Sequence, residues 1–145
     1  MHTREILLVD DNDDDVELTL RAFEKAGLSN PVHVCSDGED ALNYLFREGP
    51  HAGRVGEDMP LVVLLDLKMP KVDGAEVLAR LRADERTRLL PVTVLTSSDA
   101  DQDVLRCYDA GANSYVCKPV DFAKFAEAVG RLGLYCVLTN RVVKP

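Results

Sequence analysis

The sequence predicts an α/β domain whose core is a doubly wound, all-parallel sheet of five strands. Two observations lead to this prediction: five short apolar runs alternate with segments of helical period, and four of the runs end in polar residues. Short runs that are apolar throughout are typical of parallel strands buried on both faces. Right-handed crossovers between such strands leave few arrangements, and a common one has the strand order 2-1-3-4-5.

The first strand–helix unit is the clearest in the pattern. Residues 6–9 form a compact apolar run that ends in acid, and residues 13–26 follow with apolar side chains at helical spacing. The acidic residues 13–15 suit the cap and first turn of this helix, and Gly27 suits its end.

The remaining chain continues the alternation. The most apolar stretch, residues 61–65, ends at Asp66 and follows a long loop over residues 49–60 with three glycines and two prolines. In order, the other predicted elements are a strand at 32–35, a helix lined by residues 41–46, a helix after Gly74, a strand at 92–95, a helix near 101–110, a strand at 114–117 and a helix at 121–132.

Length, composition and charge exclude several classes of function. The 145 residues suit one domain, and a net charge of −8 argues against nucleic acid, which requires clustered Lys and Arg. No apolar run approaches the ~18 residues of a membrane span, and no signal peptide is visible, so we expect a cytoplasmic protein without membrane contact. The four cysteines lack metal-binding spacing, and we expect them to be reduced and mostly buried.

Polar side chains of different kinds follow four of the predicted strands. Asp10 and Asp11 follow the first strand, Asp66 the third, Thr96 the fourth and Lys118 the fifth. Because the carboxyl ends of parallel strands share one rim of the sheet, we expect these groups to meet there. Clustered carboxylates repel one another and favour a hard divalent cation such as Mg²⁺ or Mn²⁺. With a lysine and a hydroxyl beside them, they would complement a phosphoryl group transferred to a carboxylate.

Five motifs resemble the signature of the two-component response-regulator receiver family, in the same order and at matching spacings over residues 5–133. They are Asp10-Asp11, Leu64-Leu65-Asp66, Met69-Pro70-Lys71-Val72-Asp73-Gly74, Leu95-Thr96-Ser97-Ser98 and Val116-Cys117-Lys118-Pro119. The resemblance implies a flavodoxin-like (CheY-like) receiver domain over residues 1–133. It also implies a single-domain response regulator that works as a phosphorylated switch and not as a turnover enzyme.

The resemblance assigns roles to the residues at the predicted rim. It implies that Asp66 accepts the phosphoryl group, and that Asp10, Asp11, Asp66 and the backbone carbonyl of Lys68 bind Mg²⁺ or Mn²⁺. It further implies three residues that respond to the phosphoryl group: Lys118 pairs with it, while Thr96 and Tyr115 move together as the conformational switch.

A finer resemblance is to the small receivers that serve bacterial and cyanobacterial phytochromes. The loop at 49–60, the Leu-Thr-Ser-Ser run at 95–98 and the apolar tail at 134–138 carry it, although those relatives often have Trp in place of Cys136. It implies a sensor histidine kinase as partner, with a bacterial phytochrome as a candidate. Residues 134–145 would form a C-terminal extension which, with the face of the fourth helix, fifth strand and fifth helix, is a candidate contact for a homodimer.

Other functions fit the sequence less well. A calcium loop starting at Asp10 or Asp11 lacks Gly at its sixth position, and Arg21 or Ala22 stands where Glu is required. A phosphohydrolase related to the haloacid dehalogenases needs an acid two residues after the nucleophile, where this chain has Lys68. A flavodoxin-like cofactor protein needs a phosphate-cradling loop after the first strand, and a docking-only receiver would not need the complete set of strand-end residues.

We assign no functional role to the acidic residues 13–15 or to the histidines. We interpret the acids at 13–15 as solvated residues that the helix dipole stabilises. The histidines, His2, His33 and His51, are scattered along the chain, and we assign none of them as a ligand or base.

Overall fold

Residues 4–53, 59–67, 69, 72–97, 101–118, 123–125 and 127 are described in the computed structural model of the protein, except for the side chains of residues 96, 101 and 103. Five strands form one all-parallel sheet in the order β2-β1-β3-β4-β5, which confirms the predicted topology. The strands are β1 (Ile6–Val9), β2 (Val32–Cys35), β3 (Val62–Asp66), β4 (Val92–Thr96) and β5 (Ser114–Cys117). The helices are α1 (Asp13–Lys25), α2 (Gly38–Phe46), α3 (Gly74–Ala83) and α4 (Asp101–Asp109), and residues 123–125 and 127 are also helical.

The register of the sheet brings the carboxyl ends of the strands to one rim. The residues that precede Asp10 and Asp66 pair with each other in β1 and β3. The ends of β4 and β5 are level in the same way, since Thr96 pairs with Cys117. The polar residues that end four strands therefore lie side by side, as the order of a doubly wound sheet requires.

Strand pairing also moves two predicted strand ends by one residue. β3 begins and ends one residue later than the predicted range 61–65, because Asp66 itself pairs with Leu95. β4 continues through Thr96 because that residue is still in the ladder with β5. The predicted helix at 121–132 falls largely outside the described residues, as do the proposed extension at 134–145 and Cys136.

Two hydrophobic clusters cover the two faces of the sheet. Alternate residues of β1 serve each face, because successive side chains of a strand point in opposite directions. Leu7 and Val9 pack with apolar side chains of α2, α3 and α4, whereas Ile6 and Leu8 pack with α1. Phe125, which is fully buried, joins the α1 side with its ring centroid 4.7 Å from that of Phe23. Helices on both faces explain why β1 is apolar throughout and why β3 is apolar up to Asp66.

The ends of α1 show how local sequence sets its position. Asn12 is the cap, because its side chain accepts a hydrogen bond from the backbone N–H of Asp15 at 3.0 Å. The predicted cap among residues 13–15 is therefore one residue too late, and those acids form the first turn. The helix ends at Lys25 with Ala26 as its C-cap, and Gly27 follows with a positive φ of 79°, as predicted for a stop.

A single arginine joins two loops at the rim opposite the polar strand ends. Arg82, near the end of α3, donates hydrogen bonds of 2.8–3.2 Å to the loop before β4 and to the turn before β5. The acceptors are the carbonyl oxygens of Thr87, Arg88, Leu90 and Gly111 and the side-chain oxygen of Asn113. These bonds fix the amino ends of β4 and β5 relative to α3.

Histidines that are scattered in the sequence meet beside edge strand β2. The ring of His33 stacks on Tyr44 of α2 at 4.0 Å, and His51 lies edge-on to the same tyrosine at 5.1 Å. His51 Nε2 is also 2.9 Å from a carboxylate oxygen of Asp40, and the Tyr44 hydroxyl donates to Glu5. This cluster closes the outer edge of the α2 layer.

The described helices include none that combines the length and the apolar character needed to cross a bilayer. Among the three cysteines that the structure describes, none forms a disulfide. Cys35 and Cys107 are buried as predicted, and Cys117 is half-buried at the end of β5.

Candidate functional site

Three carboxylates converge at the carboxyl ends of β1 and β3. Asp10, Asp11 and Asp66 each offer an oxygen atom, and these atoms all lie within 4.8 Å of one another. Asp10 and Asp66 are buried, with 2% and 7% of their surface exposed, whereas Asp11 is exposed. In the described parts of the chain, this is the single group of three His, Cys, Asp or Glu side chains close enough to share a metal ion.

Backbone contacts hold the buried carboxylates in place. The N–H of Asp10 donates to the carbonyl oxygen of Cys35 at 3.1 Å, which continues the line of β1 against β2. One carboxylate oxygen of Asp10 accepts a hydrogen bond from the N–H of Asn12 at 3.0 Å, so the turn into α1 fixes that side chain. Asp66 ends the β3 ladder opposite Leu95.

The ammonium group of Lys118 lies among three carboxylates. Its Nζ atom is 2.9 Å from Oδ2 of Asp10, 3.1 Å from Oδ2 of Asp15 and 3.2 Å from Oδ2 of Asp66. The contacts with Asp15 and Asp66 have hydrogen-bond geometry. The lysine side chain is 13% exposed, so these ion pairs are screened by water far less than surface pairs.

The charges around Lys118 outweigh the cost of its burial. Burial alone lowers the pKa of the lysine, because it disfavours the charged form. Direct contacts with Asp10 and Asp15, and the charge of Asp66, raise the pKa by more and hold it above its ordinary value. The group is therefore positively charged at neutral pH.

One oxygen of the cluster receives no hydrogen bond from the described residues. Oδ2 of Asp10 is buried and lies at ion-pair distance from Lys118, but the two groups are not aligned for a hydrogen bond. A buried carboxylate oxygen without a donor is costly unless a cation satisfies it. Together with the oxygens of Asp11 and Asp66, it forms an all-oxygen donor set that fits a hard divalent cation.

A cavity of about 210 Å³ opens above these carboxylates. Its lining combines acidic, amide and hydroxyl groups with the lysine, from Asp11, Asn12, Asp15, Asp66, Leu67, Ser97 and Lys118. The cavity is large enough for a small anionic group beside a cation, and both charges would find opposite partners on its walls.

The structure brings together most of the side chains that the sequence predicts at this rim. Asp10, Asp11, Asp66 and Lys118 meet as expected. Thr96 ends β4 in register with Cys117, but its side chain is outside the described part of the chain, and Lys68 is outside it altogether.

Tyr115, the predicted switch residue, lies within β5. It is half-buried in β5 and packs against the hydrophobic cluster on the side of α2, α3 and α4. The ring of Tyr108 on α4 meets it edge-on at 6.3 Å between centroids. The predicted switch residue therefore contacts α4 through Tyr108.

Asp15 is the member of the site that sequence reasoning missed. The interpretation of residues 13–15 as solvated helix-start acids fits Asp13 and Asp14, which are exposed, but does not hold for Asp15. Asp15 lies in the first turn of α1, shortly after the turn that carries Asp10 and Asp11. No local signal separates Asp15 from Asp13 and Asp14, because its partner Lys118 is 103 residues away in sequence.

The sequence and fold identify the family of the protein. Residues 6–130 match the response regulator receiver domain, and the chain belongs to this family. Receivers of this family are the phosphoacceptors of two-component signalling, which confirms the family and the general function that the motifs predict.

The chain is also similar to individual members of this family. The chain is 42% identical over 141 residues to the probable methanogenesis regulatory protein FilR2 of Methanothrix harundinacea, with 97% of this chain and 88% of FilR2 covered. It is similar to the solved bacteriophytochrome response regulator AtBRR, with 50% identity, a TM-score of 0.84, and 92% and 94% of the two chains covered. The Mn²⁺-bound form of response regulator Rcp1 has 28% identity, a TM-score of 0.73 and 97% coverage of each chain. Rcp1 is a protein of Synechocystis. The predicted likeness to phytochrome-associated receivers is thus confirmed.

Proposed function

We propose that Asp66 is the phosphoacceptor of this receiver and that a divalent cation, Mg²⁺ or Mn²⁺, is held beside it. The observation that carries the proposal is the convergence of three carboxylates next to the ammonium of Lys118, with one buried oxygen of Asp10 paired with that ammonium by charge but without a hydrogen bond from the described residues. Asp10, Asp11 and Asp66 would bind the cation through their side chains, and Lys68 would bind it through its backbone carbonyl. The Mn²⁺-bound form of Rcp1, with the same fold, supports a divalent cation in this class.

The proposed reaction is an in-line transfer to the Asp66 carboxylate. One carboxylate oxygen forms a bond to the phosphorus of a phosphohistidine, while the P–N bond breaks and its electron pair returns to the imidazole nitrogen. The bound cation would neutralise charge on the phosphoryl oxygens during transfer. Lys118 would pair with one of these oxygens, and Thr96 would donate its hydroxyl to another. Water later attacks the acyl phosphate and releases inorganic phosphate, which restores the carboxylate.

The donor we propose is a sensor histidine kinase, with a bacterial phytochrome as the leading candidate. The 50% identity to the bacteriophytochrome response regulator AtBRR supports this choice. A receiver that takes phosphate from such a kinase works in the cytoplasm, where the kinase domain is. It undergoes one transfer and one hydrolysis for each signal, so we assign it as a switch and not as a turnover enzyme.

The output we propose passes through α4 and β5. Tyr115 and Thr96 would shift when the phosphoryl group arrives, and Tyr108 would carry the shift to the surface of α4. Leu105 and Tyr108 on this helix are 62% and 44% exposed, which suits a face that binds a partner. A second copy of the chain, with residues 134–145 contributing, is the partner we propose for this face.

Intact mass after incubation with acetyl phosphate tests the central proposal. We expect one phosphoryl group on the wild-type protein with Mg²⁺, none after chelation, and none on Asp66→Asn in either condition. Asp73→Asn is the matched control, because Asp73 caps α3 through a hydrogen bond that Asn also accepts. Phosphorylation of Asp66→Asn at the wild-type rate, or of wild type without metal, would show that another residue or mechanism is used.

A further inference from the structure

Lys118 is held by one carboxylate that does not belong to the strand ends. Asp15 lies in the first turn of α1, 103 residues away in sequence, and its Oδ2 accepts a hydrogen bond from Nζ of Lys118 at 3.1 Å. The other two partners, Asp10 and Asp66, are members of the group of three carboxylates that converge at the rim. Asp15 lines the cavity but is not a member of that group.

The backbone of Asp15 is fixed on both sides. Its N–H donates to the side chain of the cap residue Asn12 at 3.0 Å. Its carbonyl oxygen accepts a hydrogen bond at 2.9 Å from the hydroxyl of Thr19, which is buried with 3% of its surface exposed. These two bonds fix the backbone of Asp15 at the start of α1, and from there its side chain contacts Lys118.

A cation at the rim would change the balance among the partners of Lys118. A divalent charge attracts the carboxylates of Asp10 and Asp66 and repels the ammonium group a few ångströms away. Asp15 is not one of the carboxylates that would bind the cation, so its attraction for the lysine is not shared with the cation. The side chain of Asp15 is 35% exposed, against 1% for Asp10 and 9% for Asp66. Asp15 is therefore the partner whose side chain can most easily follow a movement of the Lys118 ammonium.

We propose that Asp15 is a positioning residue, which keeps the ammonium of Lys118 over the cavity when a divalent cation engages the strand-end carboxylates. The Lys118 Nζ atom is then in place for a phosphoryl oxygen before transfer begins. This inference rests on the proposed phosphotransfer to Asp66 and adds a residue of α1 to it. Without Asp15, the lysine would be repelled by the cation and would have to return to the cavity during the reaction.

The first test compares rates of phosphorylation by acetyl phosphate at saturating Mg²⁺. We expect Asp15→Asn to be slower than wild type by about tenfold, since misplacing a group that contacts the reacting centre by about 1 Å costs one to two orders of magnitude. Asp14→Asn is the matched control, because Asp14 is exposed in the same helical turn and the change in net charge is equal. Asp15→Glu, which keeps the carboxylate, should recover part of the rate.

A double-mutant cycle separates action through Lys118 from a general effect on α1. If Asp15 acts by holding the lysine, then Asp15→Asn should have no further effect once Lys118→Gln is present. Additive losses in the double variant would contradict the proposal, because they would place the effect of Asp15 elsewhere.

A second measurement does not depend on phosphorylation. In ¹⁵N-labelled protein with Mg²⁺, a held ammonium gives a slowly exchanging lysine resonance, which Lys118→Arg would identify by its loss. We expect this resonance in wild type and Asp14→Asn and its disappearance in Asp15→Asn. Its persistence in Asp15→Asn would overturn the inference.

The two measurements distinguish the inference from the proposed function. If wild type is phosphorylated and Asp15→Asn matches Asp14→Asn in rate, the phosphotransfer assignment stands and the role of Asp15 is wrong. A faster rate in Asp15→Asn would likewise overturn the role, since Asp15 would then compete with the phosphoryl group for the lysine. If wild type is not phosphorylated, the proposed function fails, and the lysine resonance alone decides whether Asp15 holds Lys118.

Discussion

Gly74 at the start of α3 lies against the backbone of Asp66 so closely that a Cβ atom there would be 2.5 Å from the Asp66 carbonyl oxygen. The same Cβ would be 2.7 Å from Cα of Leu67. Backbone atoms cannot move aside as the end of a flexible side chain can. The close approach therefore fixes α3 directly behind the carboxylate at the end of β3.

The first prediction concerns this contact. Gly74→Ala should lower the free energy of unfolding by about 1–3 kcal/mol, the usual cost of overpacking a close contact. Gly53→Ala is the control, because a Cβ at Gly53 meets nothing within 4 Å, and it should change stability by less than about 0.5 kcal/mol. Urea unfolding of both variants measures the difference, and equal stabilities would show that the chain after Asp66 yields easily.

The second prediction concerns the charge of Lys118. Lys118→Met keeps the apolar stem but leaves the carboxylates of Asp10, Asp15 and Asp66 without their shared cation. We expect a loss of about 3 kcal/mol, because removing one partner of a buried ion pair leaves charge uncompensated. Mg²⁺ should then raise the melting temperature of this variant by more than it raises that of wild type.

Lys25→Met provides the comparison for that experiment, since Lys25 is an exposed lysine in the last turn of α1. It should lose only about 0.5 kcal/mol from the helix dipole and should respond to Mg²⁺ as wild type does. Equal Mg²⁺ responses in all three proteins would mean that Lys118 and the cation do not balance the same carboxylates.

The third prediction concerns the arginine that joins the loops before β4 and β5. Arg82→Met should destabilise the protein by about 2–4 kcal/mol, because several part-buried acceptors lose a charged donor. Arg80→Met, two residues earlier on the same helix, removes an exposed pair with Glu76 and should cost less than about 0.5 kcal/mol. Thermal and urea unfolding compare them, and similar losses would show that the loops do not depend on Arg82.

The fourth prediction concerns pH. Burial, followed by the nearby charge of Asp40, raises the pKa of the Cys35 thiol well above its ordinary value. A raised pKa in the folded state gives stability that is fully present below the pKa of the unfolded thiol and is lost as pH rises above it. Above about pH 9, the wild type should lose about 1.4 kcal/mol per pH unit from this thiol, and Cys35→Ala should not.

Unfolding free energies at several values between pH 8 and pH 10.5 test this expectation. The substitution itself costs a roughly constant amount through the lost side chain, so only the change of the difference with pH matters. Parallel curves for the two proteins would contradict the assignment of a raised pKa to Cys35.

The strand-end residues were predictable from sequence because each signal is local. An apolar run followed by an acidic residue, as at Asp10 and Asp66, or by a lysine, as at Lys118, indicates both a buried strand and the point where it ends. The rule that carboxyl ends of parallel strands share a rim then places these residues together without any knowledge of side-chain contacts. The strand bounds shifted by one residue because pairing with a neighbour, as of Asp66 with Leu95, decides where a strand stops.

Contacts between distant elements were not predictable in the same way. The bond between Asp15 and Lys118 depends on how α1 leans over the sheet, and nothing near Asp15 in sequence specifies that angle. The hydrogen bonds of Arg82 and the stacking of His33 on Tyr44 depend likewise on the approach of separate segments. Such contacts depend on how the elements pack. Hydrophobic periodicity predicts which face of a helix is buried, but it does not predict which residues that face contacts.

The unequal numbers of acidic and basic groups at the rim have a kinetic consequence. Among the side chains that the structure describes there, four carboxyl groups, those of Asp10, Asp11, Asp15 and Asp66, share this end of the sheet with one ammonium group, that of Lys118. An anionic phosphoryl donor approaching this excess of negative charge is repelled, whereas a divalent cation is attracted. We therefore expect ordered addition, with the cation arriving first and the donor second, so that the supply of cation gates every encounter with the donor.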